Sequence, residues 1–396
     1  MTGSQLQMIL PKFPSCSYLE NNPSSKQNIL ERLEGGEVVL GDGSYCATLE
    51  KRGYVKAGHY TPEASVENPE AVEALAYEYA RAGADITQTF TYYSRDVGTP
   101  DDVNLTCGEI NQGACNIAKK IAKEKGTIVA GGIVQTGVFS TKRDKKEVHE
   151  ELREGLEVLI QNDIDLIIVE FFGNIIEMEW AIELALSYNK PVAATMCIGP
   201  KGDTDGVQPE ECAVRMARAG AHIIGTNCKF DPFISLETMR RMKAGLDAEN
   251  LHPYLMCQPL GFRTPDVNHF GGFHLPEFPF AMEPRQITRI EAAQFAREAY
   301  HLGIRVIGGC CGIESHHIRA MAEELAVERG GLPEGSRKSD HDLSTLKKKG
   351  DMGRDEFKMK GSKEYWQSLI PCTGRPLSSA LNRTMNPEVV DRSVLN

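Results

Sequence analysis

Apolar positions recur along this chain in two alternating rhythms. Short, β-branched runs occupy 37–40, 84–93, 127–133, 165–171, 191–198, 221–227, 253–258 and 305–307. Between them, apolar residues return at helical spacing over 69–82, 108–125, 145–162, 175–188, 209–219, 235–248, 286–302 and 314–329. A continuous apolar run suits a strand buried on both faces, and a 3.6-residue period suits a helix with one apolar face. A shorter helical pattern, NILERLEGG, begins near Gln27, precedes the first strand and stops at Gly35 and Gly36. Three helices end alike before the next strand: ARAGAD at 80–85, ARAGAH at 217–222 and YHLGIR at 300–305. Each places a glycine where a left-handed cap would close the helix.

Eight βα units over about 290 residues predict an α/β fold of the (β/α)8 TIM-barrel type. A doubly wound sheet is the alternative, but it rarely needs eight units. The barrel is expected over 27–331. Residues 1–26 carry Pro11, Pro14 and Pro23 with no periodicity, and read as a flexible N-terminal arm. The extension from 332 to 396 is charged and poor in apolar residues until Tyr365, Trp366, Leu369 and Ile370. It reads either as a solvated tail or as an arm that docks on a neighbouring subunit through that patch.

Composition narrows the class. Forty-four basic against fifty-five acidic residues give a net charge of −11, which argues against nucleic acid as a partner. Eleven cysteines, odd in number and irregularly spaced, do not form a disulfide framework. The N-terminus has no secretory apolar core, and no apolar run approaches the ~18 residues of a membrane span. A soluble cytoplasmic protein with free thiols is the expectation.

In a TIM barrel the active site lies at the C-terminal strand ends. Those ends carry Asp42 and Gly43, then 89–93, Gln135, Glu170 and Phe171, Cys197, Asn227 and Cys228, Gln258, and finally Cys310 and Cys311. The last pair follows two glycines in IRVIGGCCG. Side chains of adjacent cysteines diverge, so a disulfide between them would be strained, whereas a shared metal would not. Zinc takes three or four nitrogen or sulfur ligands, and three leave a position open for chemistry. Cys228, in IIGTNCKF, is the candidate third ligand. Two buried small hydrophobes are the plainer alternative. Cys197 and Cys257 compete as ligands, but each sits in a strand run and fits core packing better.

Asp42 and Glu170 share the mouth with these cysteines. They could serve as general acid and base, or bind an ammonium group such as that of an amino acid. Tyr60, Phe90, Tyr92, Tyr93, Phe171 and Phe172 crowd the same region. Some must be rim packing, and the rest could box a cation. Together these features suggest alkylation of a substrate thiol. Zinc would hold that thiol as thiolate, and the protein would supply no nucleophile or other catalytic group of its own.

Longer runs carry a resemblance. GDGSYCATLEKRGYVKAG at 41–58, QTFTYY at 88–93, KPVAATMCIGP at 190–200, LPEFPFAMEPR at 275–285 and GGCCG at 308–312 resemble the betaine–homocysteine S-methyltransferase family. KEYW at 363–366 and GRP at 374–376 extend the likeness into the tail. GGCC alone points only to the wider zinc-dependent homocysteine methyltransferase group.

The resemblance implies one Zn2+ per subunit on Cys228, Cys310 and Cys311. It implies homocysteine bound through Asp42, Gly43 and Glu170, and glycine betaine caged by Tyr60, Tyr93 and Phe171. The family has tryptophan where this chain has Tyr60, and tyrosine where it has Phe171. The cage stays aromatic but loses a hydroxyl, which leaves a sulfonium donor such as S-methylmethionine or dimethylsulfoniopropionate as a second expectation. A non-catalytic zinc-containing barrel is the alternative from another class. The resemblance also implies a homotetramer, a dimer of dimers joined through the C-terminal arm.

Overall fold

In the computed structural model, residues 28–55, 62–91, 105–265, 267, 271–279 and 281–337 are described, together with Met359 and Tyr365. The N-terminal arm, Tyr60, Tyr92, Tyr93 and nearly all of the C-terminal extension lie outside the described residues.

Eight parallel strands form one sheet: β1 (Val39–Leu40), β2 (Ile86–Gln88), β3 (Ile128–Val134), β4 (Leu166–Phe172), β5 (Val192–Met196), β6 (Ile223–Cys228), β7 (Tyr254–Pro259) and β8 (Val306–Ile307). β1 pairs with β8, and the order then descends to β2. Helices over Pro69–Ala82, Cys107–Lys125, Lys145–Gln161, Ile175–Leu186, Pro209–Arg218, Pro232–Ala248, Arg289–Leu302 and Ser315–Glu324 follow the strands in turn. The expected barrel is therefore present.

Sequence periodicity located these helices, and local chemistry ends them. Gly83, Gly126 and Gly303 take the left-handed cap conformation. Thr106 with Glu109, and Thr288 with Glu291, form capping boxes that satisfy first-turn N–H groups. The strand expected over 84–93 is shorter: the Thr89 N–H makes a last backbone bond to the Ala130 carbonyl at 2.8 Å, and the Thr91 N–H then turns back to the Thr89 carbonyl at 2.9 Å.

The barrel interior is packed at its lower half. Val39, Ile86, Ile128, Ala130, Leu166, Ile168, Ala193, Ile223, Met256 and Val306 fill it, and Ile29 and Leu33 of the helix Ile29–Glu34 close the base. The upper half is left to the site.

The seam between β1 and β2 is closed by Asp85. Its backbone N–H donates to the Leu40 carbonyl at 2.7 Å, and its carboxylate accepts from the Leu40 N–H at 2.8 Å. Arg32 and Arg329 donate to the same carboxylate at 3.0 and 2.6 Å. Burial opposes its charge, but the two guanidiniums outweigh it and hold the acid below the usual range. Asp85→Asn would break a largely buried ion triad, and is expected to destabilise the fold by about 3 kcal/mol. Urea denaturation measures this. The contribution is present at neutral pH and is lost as pH falls through the depressed pKa.

Candidate active site

Two sharp backbone turns build the mouth. β6 ends with Cys228 at φ 55° and Lys229 at φ 49°, both left-handed and neither glycine. On β4, Phe171 has φ 63°, and the register against β5 shifts between Val169 and Phe172. Such conformations cost of order 1–3 kcal/mol each and persist where surroundings enforce them. Here the Asn227 side chain accepts the Phe171 N–H at 3.0 Å and so holds the bend.

These turns, with the GGCCG loop, bring three thiols together. The sulfurs of Cys228, Cys310 and Cys311 all lie within 4.8 Å of one another. The Gly309 N–H donates to the Asp42 carbonyl, and the Cys310 N–H to the Pro259 carbonyl, fixing the loop to its neighbours. A side chain at position 309 would overlap Ile313 at 2.4 Å, so glycine is required there. Hydrogen bonds from Cys228 and Cys310 draw Cys311 down to about 5, while its bonds to the other two thiols and burial push Cys310 up. Cys228 is also pushed up, so the low value falls on one thiol of the three.

The donor set fits a soft divalent ion. A tetrahedral site with metal–sulfur bonds of ~2.3 Å has sulfur–sulfur edges of roughly 3.8 Å, within the observed spread. Among the described residues no fourth cysteine joins the cluster. Cys197 lies just past β5 with its sulfur donating to the Phe171 carbonyl at 3.4 Å, and Cys257 is buried beside Thr226. Both pack as expected.

Asp42 and Glu170 face the same cavity, which Cys228, Cys310, Cys311, Gly43 and Gln258 also line. Both are buried, at 3% and 8% exposure. Asp42 accepts from the Gln88 N–H at 2.8 Å and the Tyr45 hydroxyl at 3.1 Å. Glu170 accepts from the side chains of Gln88 and of Asn227, the latter at 3.1 Å. All four donors are neutral. Burial pushes Asp42 up to about 7 and Glu170 up to about 8 against those bonds. Neither carboxylate has a lysine or arginine partner among the described residues. Gly43 is confined by the Ile313 carbonyl, which an added side chain would meet at 2.4 Å.

The aromatic reading divides. Phe171 sits in the mouth cluster with Cys197 and Cys228, and its ring lies 5.9 Å from that of Phe273. Phe90 stacks on Tyr45 at 5.6 Å, whereas Phe172 turns away into the strand–helix layer. Tyr60 and Tyr93 lie outside the described residues. The structure thus gathers Asp42, Gly43, Glu170, Phe171, Cys228, Cys310 and Cys311 at one mouth. It adds Gln88, which bonds both carboxylates, and Phe273 and Phe278, whose rings are 4.9 Å apart. Gln88 and Phe278 lay in quoted runs, without a role, and Phe273 in none; nothing in a local pattern marks which neutral residue will brace two distant acids.

Residues 39–325 match the sequence profile of the homocysteine S-methyltransferase family. The chain belongs to that family. It is 49% identical over 365 residues to betaine–homocysteine S-methyltransferase 1 of Mus musculus, covering 91% of this chain and 89% of that one. It is 46% identical over 363 residues to S-methylmethionine–homocysteine S-methyltransferase of Pongo abelii, covering 91% and 98%. Among solved structures, the metallated form of the homocysteine methyltransferase MmuM from Escherichia coli shares the fold. Its TM-score is 0.57 at 19% identity, over 73% of this chain and 96% of that one. The family is one of enzymes. A purely structural role for the barrel is set aside.

Proposed function

We propose that this enzyme moves a methyl group from glycine betaine to homocysteine, giving dimethylglycine and methionine. One observation carries the reading: two buried carboxylates, without a cationic partner among the described residues, lie beside a cluster of three thiols. Burying a charge without a counter-ion is costly, so a ligand that brings an ammonium group is favoured there. An amino acid with a thiol a few bonds away satisfies both halves of the cavity at once. The relatives named for betaine and homocysteine chemistry support the same pair of substrates.

Cys228, Cys310 and Cys311 would hold a zinc ion, one per subunit. Bound there, zinc would keep a substrate thiol deprotonated and nucleophilic at neutral pH. Asp42 and Glu170 would clamp the homocysteine ammonium, with Gly43 forming the adjacent wall. Gln88 and Asn227 keep the Glu170 carboxylate aimed into the cavity. Phe171, Tyr60 and Tyr93 are assigned to the methyl donor, an onium whose departing group takes the electron pair of the broken carbon–nitrogen bond. No side chain needs to give or take a proton in that displacement. The protein's contribution is proximity and alignment, worth several orders of magnitude in effective concentration.

A sulfonium donor is the second reading. Phe171 offers no hydroxyl to the donor, and a relative named for S-methylmethionine is nearly as similar as those named for betaine. The test is methionine formation by reduced, zinc-loaded protein with homocysteine and each of glycine betaine, S-methylmethionine and dimethylsulfoniopropionate. Fastest turnover with betaine is expected. Preference for a sulfonium would replace the donor, and no methionine from any of them would overturn the reading.

The extension from 332 to 396 is assigned to subunit contact in a homotetramer, which light scattering on the full chain against a chain ending at 337 would test. No disulfide joins the nine described cysteines, which supports a cytoplasmic location. No helix among the described residues is long and apolar enough to cross a membrane.

A further inference from the structure

Lys229 follows the metal-cluster residue Cys228 and turns its ammonium onto the aromatic mouth. Its Nζ lies 5.3 Å from the Phe171 ring centroid and 5.9 Å from that of Phe273. The turn that carries Phe273 is tied to the same residue, because the Gly272 N–H donates to the Lys229 carbonyl at 2.6 Å. Lys229 is half-buried. No carboxylate among the described residues pairs with it. By contrast Lys51, which lines the cavity, lies 3.8 Å from Glu314.

An ammonium over an aromatic face uses the attraction an onium ligand would use. Two cations on neighbouring faces repel unless an anion lies between them. A half-buried ammonium with no counter-ion favours that anion through a charge-assisted hydrogen bond. We propose that Lys229 anchors the carboxylate of the methyl donor and so selects short zwitterions, those with a carboxylate near the onium centre. This rests on the methyl-transfer reading above. Phe171 then seats the lysine as much as it faces the donor. The positive charge serves two ends: it attracts the carboxylate of a zwitterionic donor, and it repels a cation that has none.

The two effects have opposite signs, which makes them separable from a structural role. The full-length, zinc-loaded enzyme would be compared with Lys229→Met and Lys229→Arg. Donor KM would be measured for glycine betaine and dimethylsulfoniopropionate, and competition by trimethylsulfonium, which has no carboxylate, would be measured alongside. Lys229→Met is expected to raise the KM of carboxylate-bearing donors by about tenfold or more. It should strengthen competition by trimethylsulfonium and leave the homocysteine KM unchanged. Lys229→Arg, which keeps the charge, should stay close to wild type on all three. If donor KM and trimethylsulfonium competition in Lys229→Met weaken together, or if neither moves, Lys229 is not the anchor. An altered homocysteine KM would likewise assign it to the general architecture of the mouth. Wild-type enzyme that makes no methionine from any donor would remove the methyl-transfer reading and the anchor with it. Wild-type turnover matched by Lys229→Met would remove the anchor alone.

Discussion

Alanine in place of Cys310 is expected to abolish metal retention and methionine formation while the barrel stays folded. Cys310 is not a core residue: it is partly exposed at the mouth, and its backbone N–H remains bound to the Pro259 carbonyl whatever the side chain. What the substitution removes is one of three sulfurs that lie within 4.8 Å of one another. Replacing a residue that merely orients a ligand already costs roughly 10–100-fold in metal affinity or activity, so loss of a ligand should cost more. Metal content after dialysis against a mild chelator, activity and far-ultraviolet circular dichroism test this on one preparation. Wild-type turnover by Cys310→Ala would falsify the assignment of the metal site.

How much of this site could be read from the chain depends on the range over which each feature is specified. The strands and helices announce themselves within a dozen residues, through periodicity and caps such as Gly83 and Gly303. Once the barrel is inferred, its geometry assigns Asp42, Glu170, Cys228, Cys310 and Cys311 to one end without further information. The seam at β1 and β2 is different. There a side chain, Asp85, completes the barrel, and its two arginines come from positions 53 residues before it and 244 residues after it. No local pattern encodes that. The same holds for the left-handed backbone at Phe171, Cys228 and Lys229, residue types that rarely adopt it. Tertiary contacts enforce these bends, and they aim side chains in directions a regular strand would not allow. Phe172 shows the consequence from the other side: the chain bends at Phe171, so of two adjacent phenylalanines one enters the mouth and the other the core.

The acids, thiols and bends share one energetic character, for each is unfavourable to the protein without its ligands. Local rules fail where the site is, and the stability lost there is supplied by the packed lower barrel and the helix that closes its base. This accounts for the contrast between the two charged clusters. Asp85 meets two arginines and is held ionised. Among the described residues Asp42 and Glu170 meet only neutral donors, and burial raises them to about 7 and about 8.

Glu170→Gln is the second large expected effect, and its signature is a split between binding and stability. Homocysteine KM should rise by roughly 30-fold or more, the equivalent of losing a hydrogen-bonded ion pair of about 2–3 kcal/mol, while metal content is unchanged. The stability effect depends on pH. Burial raises Asp42 to about 7 and Glu170 to about 8 from ordinary values near 4. Between those limits the folded protein binds more protons than the unfolded chain, so stability falls as pH rises from about 4 to about 8. A glutamine at 170 cannot ionise, and it keeps an acceptor for Gln88 while losing the bond from Asn227. The decline of the unfolding midpoint with pH should therefore be shallower in the variant. Saturating homocysteine should flatten the decline in the wild-type protein but much less in the variant, because the ligand ammonium supplies the missing counter-charge. Midpoints measured at pH 5, 7 and 8.5 with and without homocysteine decide it. Parallel pH profiles for the two proteins would show that Glu170 already carries its charge without the substrate, and the ammonium clamp would have to be assigned to Asp42 alone.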